Sequence, residues 1–580
     1  MINKLYHSKC ILNFRGGWGL WSTKRGVVFP CLEKLVINKC PNLVEVSIEA
    51  LPSLSHLEIK ECLHDVLTSL IRAASSVTEL ILGCISGLTD DVFMRGFGDH
   101  LRELEKVIIS SCDGIRCLWV SEAKASVVLE SLRELEVRNC DNLISLGERV
   151  EEDDDDDDDK SGSNHFASLI ELEIGSCKSI ERCSCPNNIE RLSIWGCDSI
   201  RDVSFSSGGG QTLKSIYIDG CNKVMKKELG GGYEGGDKTQ MFINNNNNNN
   251  TGMPSLEYLY ITRFPHLKII VELNCFLHIT NLIINDCESL ESIPDVQLPK
   301  LIFLTHLVIY NCPSLGVSFP GGLWPPKLQN LIIGKLKKPI SEWGPQEFPP
   351  SLVELTLYGG GSSGNEDDAS IIISDDHLYC LLPSSLTSLH IEDLKEMETI
   401  SKGLQHLTSL KHLEIQDCPK IKHILFPSSL TSLRIQDLKE LETISKGLQH
   451  LTSLQHLEIQ DCPKMKDLPK MQLSSLLSLR IIGCPKLKKR HIKTQRLWCR
   501  YSAETAAVGD LIFMVYGRTP SKGVEYLVEV SAADGEAIAI TRAAASKRTA
   551  DAKTLNGYIL DVVLLKVKGI IWSVSFSENE

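Results

Sequence analysis

The chain has 580 residues, 42% apolar and 23% charged, the balance of a soluble protein with room for several domains or one long repeat array. Its net charge of −13 excludes a general attraction for nucleic acid, which needs clustered Lys and Arg. The 21 cysteines, with no continuous apolar stretch in residues 1–10, imply reduced thiols in a cytoplasmic or nuclear protein.

Residues 1–30 fit no periodic pattern well and read as an irregular segment or a decayed repeat. From residue 31 a frame recurs. It is Leu32-Glu-Lys-Leu35-Val-Ile37-Asn-Lys-Cys40-Pro-Asn-Leu43, then Leu132-Arg-Glu-Leu135-Glu-Val137-Arg-Asn-Cys140-Asp-Asn-Leu143, and again Leu454-Gln-His-Leu457-Glu-Ile459-Gln-Asp-Cys462-Pro-Lys-Met465. The frame opens 18 times, at Leu32, Leu54, Val77, Leu104, Leu132, Leu169, Ile189, Leu213, Leu256, Ile279, Leu304, Leu328, Leu352, Leu386, Leu410, Leu430, Leu454 and Leu476. The second Leu and the Ile alternate with variable neighbours, which is the period of a strand. One such unit cannot bury its own apolar face, whereas stacked units share a core. The expected fold is therefore an α/β-type repeat solenoid over 31–493, an irregular leucine-rich-repeat horseshoe with a parallel sheet on its concave face.

Insertions near 151–165, 206–211, 229–252 and 359–370 interrupt the frame. The first contains nine consecutive carboxylates, residues 151–159, which repel one another and read as a solvated loop. The others are rich in Gly, Ser or Asn. Residues 387–422 and 431–466 are nearly identical and differ at five positions: His390/Arg434, Glu392/Gln436, Met397/Leu441, Lys411/Gln455 and Ile421/Met465. This is duplication of a two-repeat block, with the 390/434 and 392/436 differences expected beside the strand, in solvent. Residues 494–580 leave the frame. Apolar runs at 511–516, 526–530, 558–567 and 570–576 predict a small β-rich segment of unknown fold. The apolar stretch 558–576 is a poor membrane span because Asp561, Lys566 and Lys568 interrupt it.

Twelve repeats carry Cys at the turn: Cys40, Cys62, Cys112, Cys140, Cys177, Cys197, Cys221, Cys287, Cys312, Cys418, Cys462 and Cys484. Zinc ligands come as close pairs, whereas these recur once per repeat, so they read as small buried side chains filling the turn. Cys183 and Cys185 are a close pair without a matching second pair. No metal site is expected.

The frame L-x-x-L-x-I-x-x-C-P-x-L, at times closed by Leu468-Pro469 or Ile293-Pro294, resembles the repeat region of plant nucleotide-binding leucine-rich-repeat disease-resistance proteins of the coiled-coil class. The resemblance covers about residues 31–493. It implies a non-catalytic recognition scaffold in plant innate immunity. Its partners would be a pathogen effector, a guarded host protein or a nucleotide-switch domain in cis or trans. The family's P-loop has no counterpart here. The nearest imitation, residues 231–239, sets Asp237 between Gly236 and Lys238. The chain is thus expected to correspond to the recognition part of such a receptor, as a truncated or partial resistance protein. The alternative outside immunity is a substrate-recruiting arm of a ubiquitin ligase.

No nucleophile–base signature, metalloprotease helix or kinase loop set occurs, so neither an enzyme nor a cofactor is expected. His56, His306, His412 and His456 share one phase of the repeat, the solvent side of the strand. Flanking the inward pair, the early repeats place charges: Lys34, Glu58, Lys106, Glu134, Glu136, Glu171 and Glu173. The middle repeats place Trp195, Tyr217, Tyr258, Tyr260, Tyr310 and Tyr358. Exposed aromatics anchor many protein interfaces, so these six are the candidate protein-binding residues.

Overall fold

The computed structural model describes residues 10–15, 27–46, 48–97, 101, 103–118, 131–146, 168–186, 188–200, 202–205, 210–221, 253–268, 270, 273, 276–316, 324–337, 348–359, 375–444, 448, 450–466 and 475–486, with short strands beyond 512. The acidic run 151–159, the tracts 206–209 and 229–252 and the insert 360–370 lie outside the described residues. The chain forms two compact units, residues 1–317 and 318–580.

Each of the 18 frames opens a strand. In the first unit, 11 of them run in parallel register from Leu32–Cys40 to His306–Cys312. Seven more run from Asn330–Leu336 to Ser478–Ile482 in the second unit. The alternation dictates the packing. In Glu171–Gly175, Leu172 and Ile174 are fully buried while Glu171 and Glu173 face out. Because the register is in step, Leu135, Leu172, Leu192, Ile216, Leu259, Leu282 and Leu307 form one buried column. Burying each such side chain contributes about 1.5–3 kcal/mol, and only the neighbouring repeat makes that burial available. The parallel repeat solenoid expected from the frame is the fold observed.

One regular feature was not anticipated. The residue just before the turn position adopts left-handed φ, as in Asn139 (54°), Ser176 (52°), Arg263 (55°), Asp286 (54°), Asp417 (50°) and Asp461 (49°). That conformation costs a non-glycine residue roughly 1–2 kcal/mol. In return its amide points at the next strand. Asn139 N–H donates to the Gly175 carbonyl at 2.9 Å, and Asp461 N–H to the Ile482 carbonyl at 2.9 Å. The ladder so gains one bond per repeat, and Asn, Asp and Gly recur there because they tolerate the conformation best.

All twelve turn cysteines are buried, and each thiol donates to the carbonyl two residues back, as Cys62 does to Lys60 at 3.2 Å. Five other repeats fill the same buried position with Ile85, Phe264, Leu336, Leu394 and Leu438. A buried apolar side chain, rather than a thiol as such, is therefore what the position selects. Burial pushes the thiols of Cys112, Cys221 and Cys418 up to about 12. Native protein treated with iodoacetamide at pH 8 is expected to label at exposed Cys84 and to spare these three until it unfolds. Labelling of the turn cysteines at the rate of Cys84, followed by peptide mass spectrometry, would refute this packing.

The opposite side of the first unit carries helices His64–Ile71 and Asp90–Phe97, then a parallel back sheet of Cys117–Leu118, Ser145–Leu146, Arg182–Cys185 and Asp202–Phe205. In the second unit, Asp375 of helix Asp375–Leu381 accepts the N–H groups of Ser401, Lys402 and Gly403, at 2.8–3.0 Å, and so caps the start of helix Lys402–Gln405.

Both ends carry strands as well. Within residues 1–30 a strand, Cys10–Arg15, pairs in parallel with Leu32–Cys40 across a register shift. In the tail the strands are Phe513–Arg518, Glu525–Ala533, Glu536–Arg542, Tyr558–Leu560 and Phe576–Glu578, antiparallel within a three-stranded and a two-stranded sheet. The strand Glu536–Arg542 was missed because it is rich in Ala. Asp534-Gly535, between paired Ala533 and Glu536, is the two-residue hairpin signal that would have found it.

Candidate functional site

The outward face of each strand carries three columns of side chains, at the first, third and fifth positions. In the early repeats of the first unit these columns are charged. Lys106 pairs with Glu134 at 2.8 Å, and Arg191 with Glu171 at 2.7 Å. Arg138 reaches Glu136 at 2.7 Å and Glu173 at 2.8 Å. Such pairs are half-exposed and stabilise little. Three cations here pair with four carboxylates, and Arg138 is shared between two of them.

Trp195 joins that network. Its indole N–H donates to Glu173 at 3.1 Å, and the Arg138 guanidinium lies 6.0 Å from its ring centre. It lies across Gly175, where a Cβ would meet the ring at 2.3 Å. Glycine at 175 is what admits the ring.

The middle column then becomes apolar on four adjacent strands: Tyr217, Tyr260, Ile283 and Val308. All four are partly exposed. The Tyr217 and Tyr260 rings lie 5.9 Å apart, tilted by 53°, a favourable aromatic arrangement. Tyr258, 36% exposed, flanks them on the strand of Tyr260. Burial pushes the phenols of both Tyr217 and Tyr260 up, which keeps them neutral. Ile283 and Val308 escaped attention in the sequence because an aliphatic residue between two buried aliphatic neighbours reads as part of the core run. Only the register shows that they face out.

Asp219 anchors one edge of this stripe. It is 5% exposed, the one buried charged or polar side chain among the described residues. Arg263 donates to it from Nε at 2.6 Å and also from Nη2, and the Tyr217 hydroxyl donates at 3.0 Å. Burial alone would push the carboxyl up. The hydrogen bonds from Arg263, Thr262 and Tyr217 outweigh it and hold the group below the usual range. A depressed value contributes stability above the unfolded value of about 4 and loses it as pH falls through the folded value. Asp219→Asn is therefore expected to unfold more easily at pH 6 and to show a shallower loss of stability below pH 4. An unchanged acid limb in circular-dichroism melts would contradict this.

The six aromatic candidates all lie on the outward face, but they do not form one cluster. Tyr217, Tyr258 and Tyr260 are together, and Trp195 sits on the adjoining strand beside Asp219. Tyr310 lies on the same column as Trp195, four strands further on. Tyr358 belongs to the second unit, where Lys335 approaches its ring at 5.7 Å and His390 lies 5.9 Å away. His390/Arg434 and Glu392/Gln436 face out, as expected from the duplication. Cys183 and Cys185 are buried with their sulfurs 3.8 Å apart, and no metal-binding cluster occurs among the described residues.

No protein-family model and no curated protein sequence matches the chain. Solved structures with a similar course include a leucine-rich-repeat protein of Leptospira interrogans, at 15% identity, 76% of this chain, 89% of that one and a TM-score of 0.40. The TLR13–ssRNA13 complex is similar at 15% identity, 82% of this chain, 72% of that one and a TM-score of 0.42. The functional domain of InlJ from Listeria monocytogenes, which includes a cysteine ladder, is similar at 15% identity, 82% and 86% coverage and a TM-score of 0.29.

Proposed function

We propose that the chain is a non-catalytic scaffold that recognises another protein through the outward face of its first unit. The observation that carries this reading is the stripe Tyr217–Tyr260–Ile283–Val308. It is apolar and part-exposed, and strand pairing holds it rigid. A face built only to be solvated would alternate apolar-in with polar-out, as the neighbouring charged repeats do. Rigid aromatics beside a fixed ion pair give a partner both buried area and orientation.

The frame supports a finer reading. Its resemblance to plant resistance proteins supports a role in defence, sensing a pathogen effector or a guarded host protein, or restraining a nucleotide-switch domain. The cytoplasm or nucleus is where such partners meet it.

The test is co-expression in leaf tissue with proximity labelling, comparing the full chain with its Tyr217→Ala/Tyr260→Ala/Ile283→Ser variant. Loss of the labelled partner, with far-ultraviolet circular dichroism unchanged, is the expected result. Equal labelling by both chains would remove the stripe from the account.

A further inference from the structure

The second unit carries a different surface. Its outward middle column reads His390, Glu414, Arg434, Glu458, Arg480 on five adjacent strands. These side chains line a groove of about 400 Å³. Arg434 sits at its centre. Its guanidinium approaches Glu414 at 3.4 Å and Glu458 at 3.8 Å, and donates one long bond to Gln436 at 3.4 Å. Its Nε is buried with no hydrogen-bond partner among the described residues. A guanidinium has five donors in a planar fork, so Arg434 is left with donors to spare.

The duplicated block adds a direction. Between its two copies the strand changes at two outward positions, His390 to Arg434 and Glu392 to Gln436. Both changes make the second copy more positive. Arg480 then repeats the arginine two strands beyond Arg434 and shares Glu458 with it, pairing with that carboxylate at 3.1 Å through one of its nitrogens. Neighbouring strands lie about 4.8 Å apart, so the two arginines recur at about 9.6 Å, close to three residues of extended chain at about 3.3 Å each. Gln436 and Gln460 flank the same strands, each tied to the Asp beside it at 3.2 and 3.1 Å, so the amides are held in place.

We propose that this groove binds an extended acidic segment of a partner protein. The segment crosses the strands with carboxylates three residues apart, one over Arg434 and one over Arg480. A hydrogen-bond donor between them meets Glu458. The site is separate from the aromatic stripe and does not depend on it.

The experiment is selection of a random twelve-residue phage library on the full chain, on Arg434→Gln/Arg480→Gln, and on Tyr217→Ala/Tyr260→Ala. The expected result is enrichment of peptides with Asp or Glu at three-residue spacing on the wild type and on the tyrosine variant, lost on the arginine variant. In fluorescence anisotropy, an enriched peptide should bind about tenfold more weakly when its acidic residues are respaced to every fourth position. Arg434→Lys keeps the charge without the fork and should also weaken it. No enrichment, enrichment without acidic spacing, or the same peptides on the arginine variant would overturn the proposal. Circular dichroism of each variant distinguishes lost binding from lost fold.

Discussion

Replacing Gly334 by alanine is expected to disrupt the start of the second unit more than any other single methyl group added to the ladder. Its φ is +149°, a region L side chains rarely adopt. A Cβ there would lie 2.2 Å from the Tyr358 carbonyl oxygen and 2.7 Å from the Tyr358 Cα. The obstacle is backbone of the paired strand Glu354–Tyr358, which no rotamer change can move. Strain and overpacking together cost on the order of 3 kcal/mol or more. In a repeat array the damage should stay local, because each repeat contacts only its neighbours. Hydrogen exchange is therefore the suitable measurement. Amides of Asn330–Leu336 and Glu354–Tyr358 should exchange much faster, and those of His456–Gln460 little faster. Unchanged protection at 330–336 would mean that the strands approach less closely than described.

Phe264→Ala is expected to have the second largest effect, about 3–5 kcal/mol, the usual cost of emptying a buried aromatic site. Phe264 is 1% exposed and fills the turn position that Cys occupies in most repeats. It follows Arg263, whose left-handed backbone and guanidinium hold Asp219. The cavity should therefore loosen the edge of the aromatic stripe as well as the core. Phe264→Leu keeps most of the volume and should cost far less, since Leu336, Leu394 and Leu438 occupy equivalent positions. Equal midpoints for the alanine and leucine variants in urea denaturation would contradict this.

The frame made the fold legible because its chemistry is redundant. Each repeat restates the same inward pair, so Leu172 and Ile174 can be read from Leu135 and Val137. What the sequence hid was whatever depends on register. Ile283 and Val308 resemble core residues until their strands are aligned. Arg434 looks like an ordinary solvent-facing charge until Glu414 and Glu458 are seen on either side. The left-handed residues were hidden for another reason. The position admits Lys39, Glu61 and Arg263 as well as Asn and Asp, so no single residue type marks it. The six aromatics face outward, but sequence phase alone could not show that Trp195 is committed to Glu173 and Arg138, or that the Tyr217 and Tyr260 rings meet.

The most direct test of the central claim is site-specific photo-crosslinking from the two sides of the solenoid. A benzoylphenylalanine placed at Tyr260 reports on the ladder face. One placed at Val296, 66% exposed on the 3-10 turn Asp295–Lys300, reports on the side away from it. Recognition by the outward face of the strands requires a crosslinked protein partner from position 260 and none from 296. Crosslinking from 296 alone would place the partner on the other side and contradict the account.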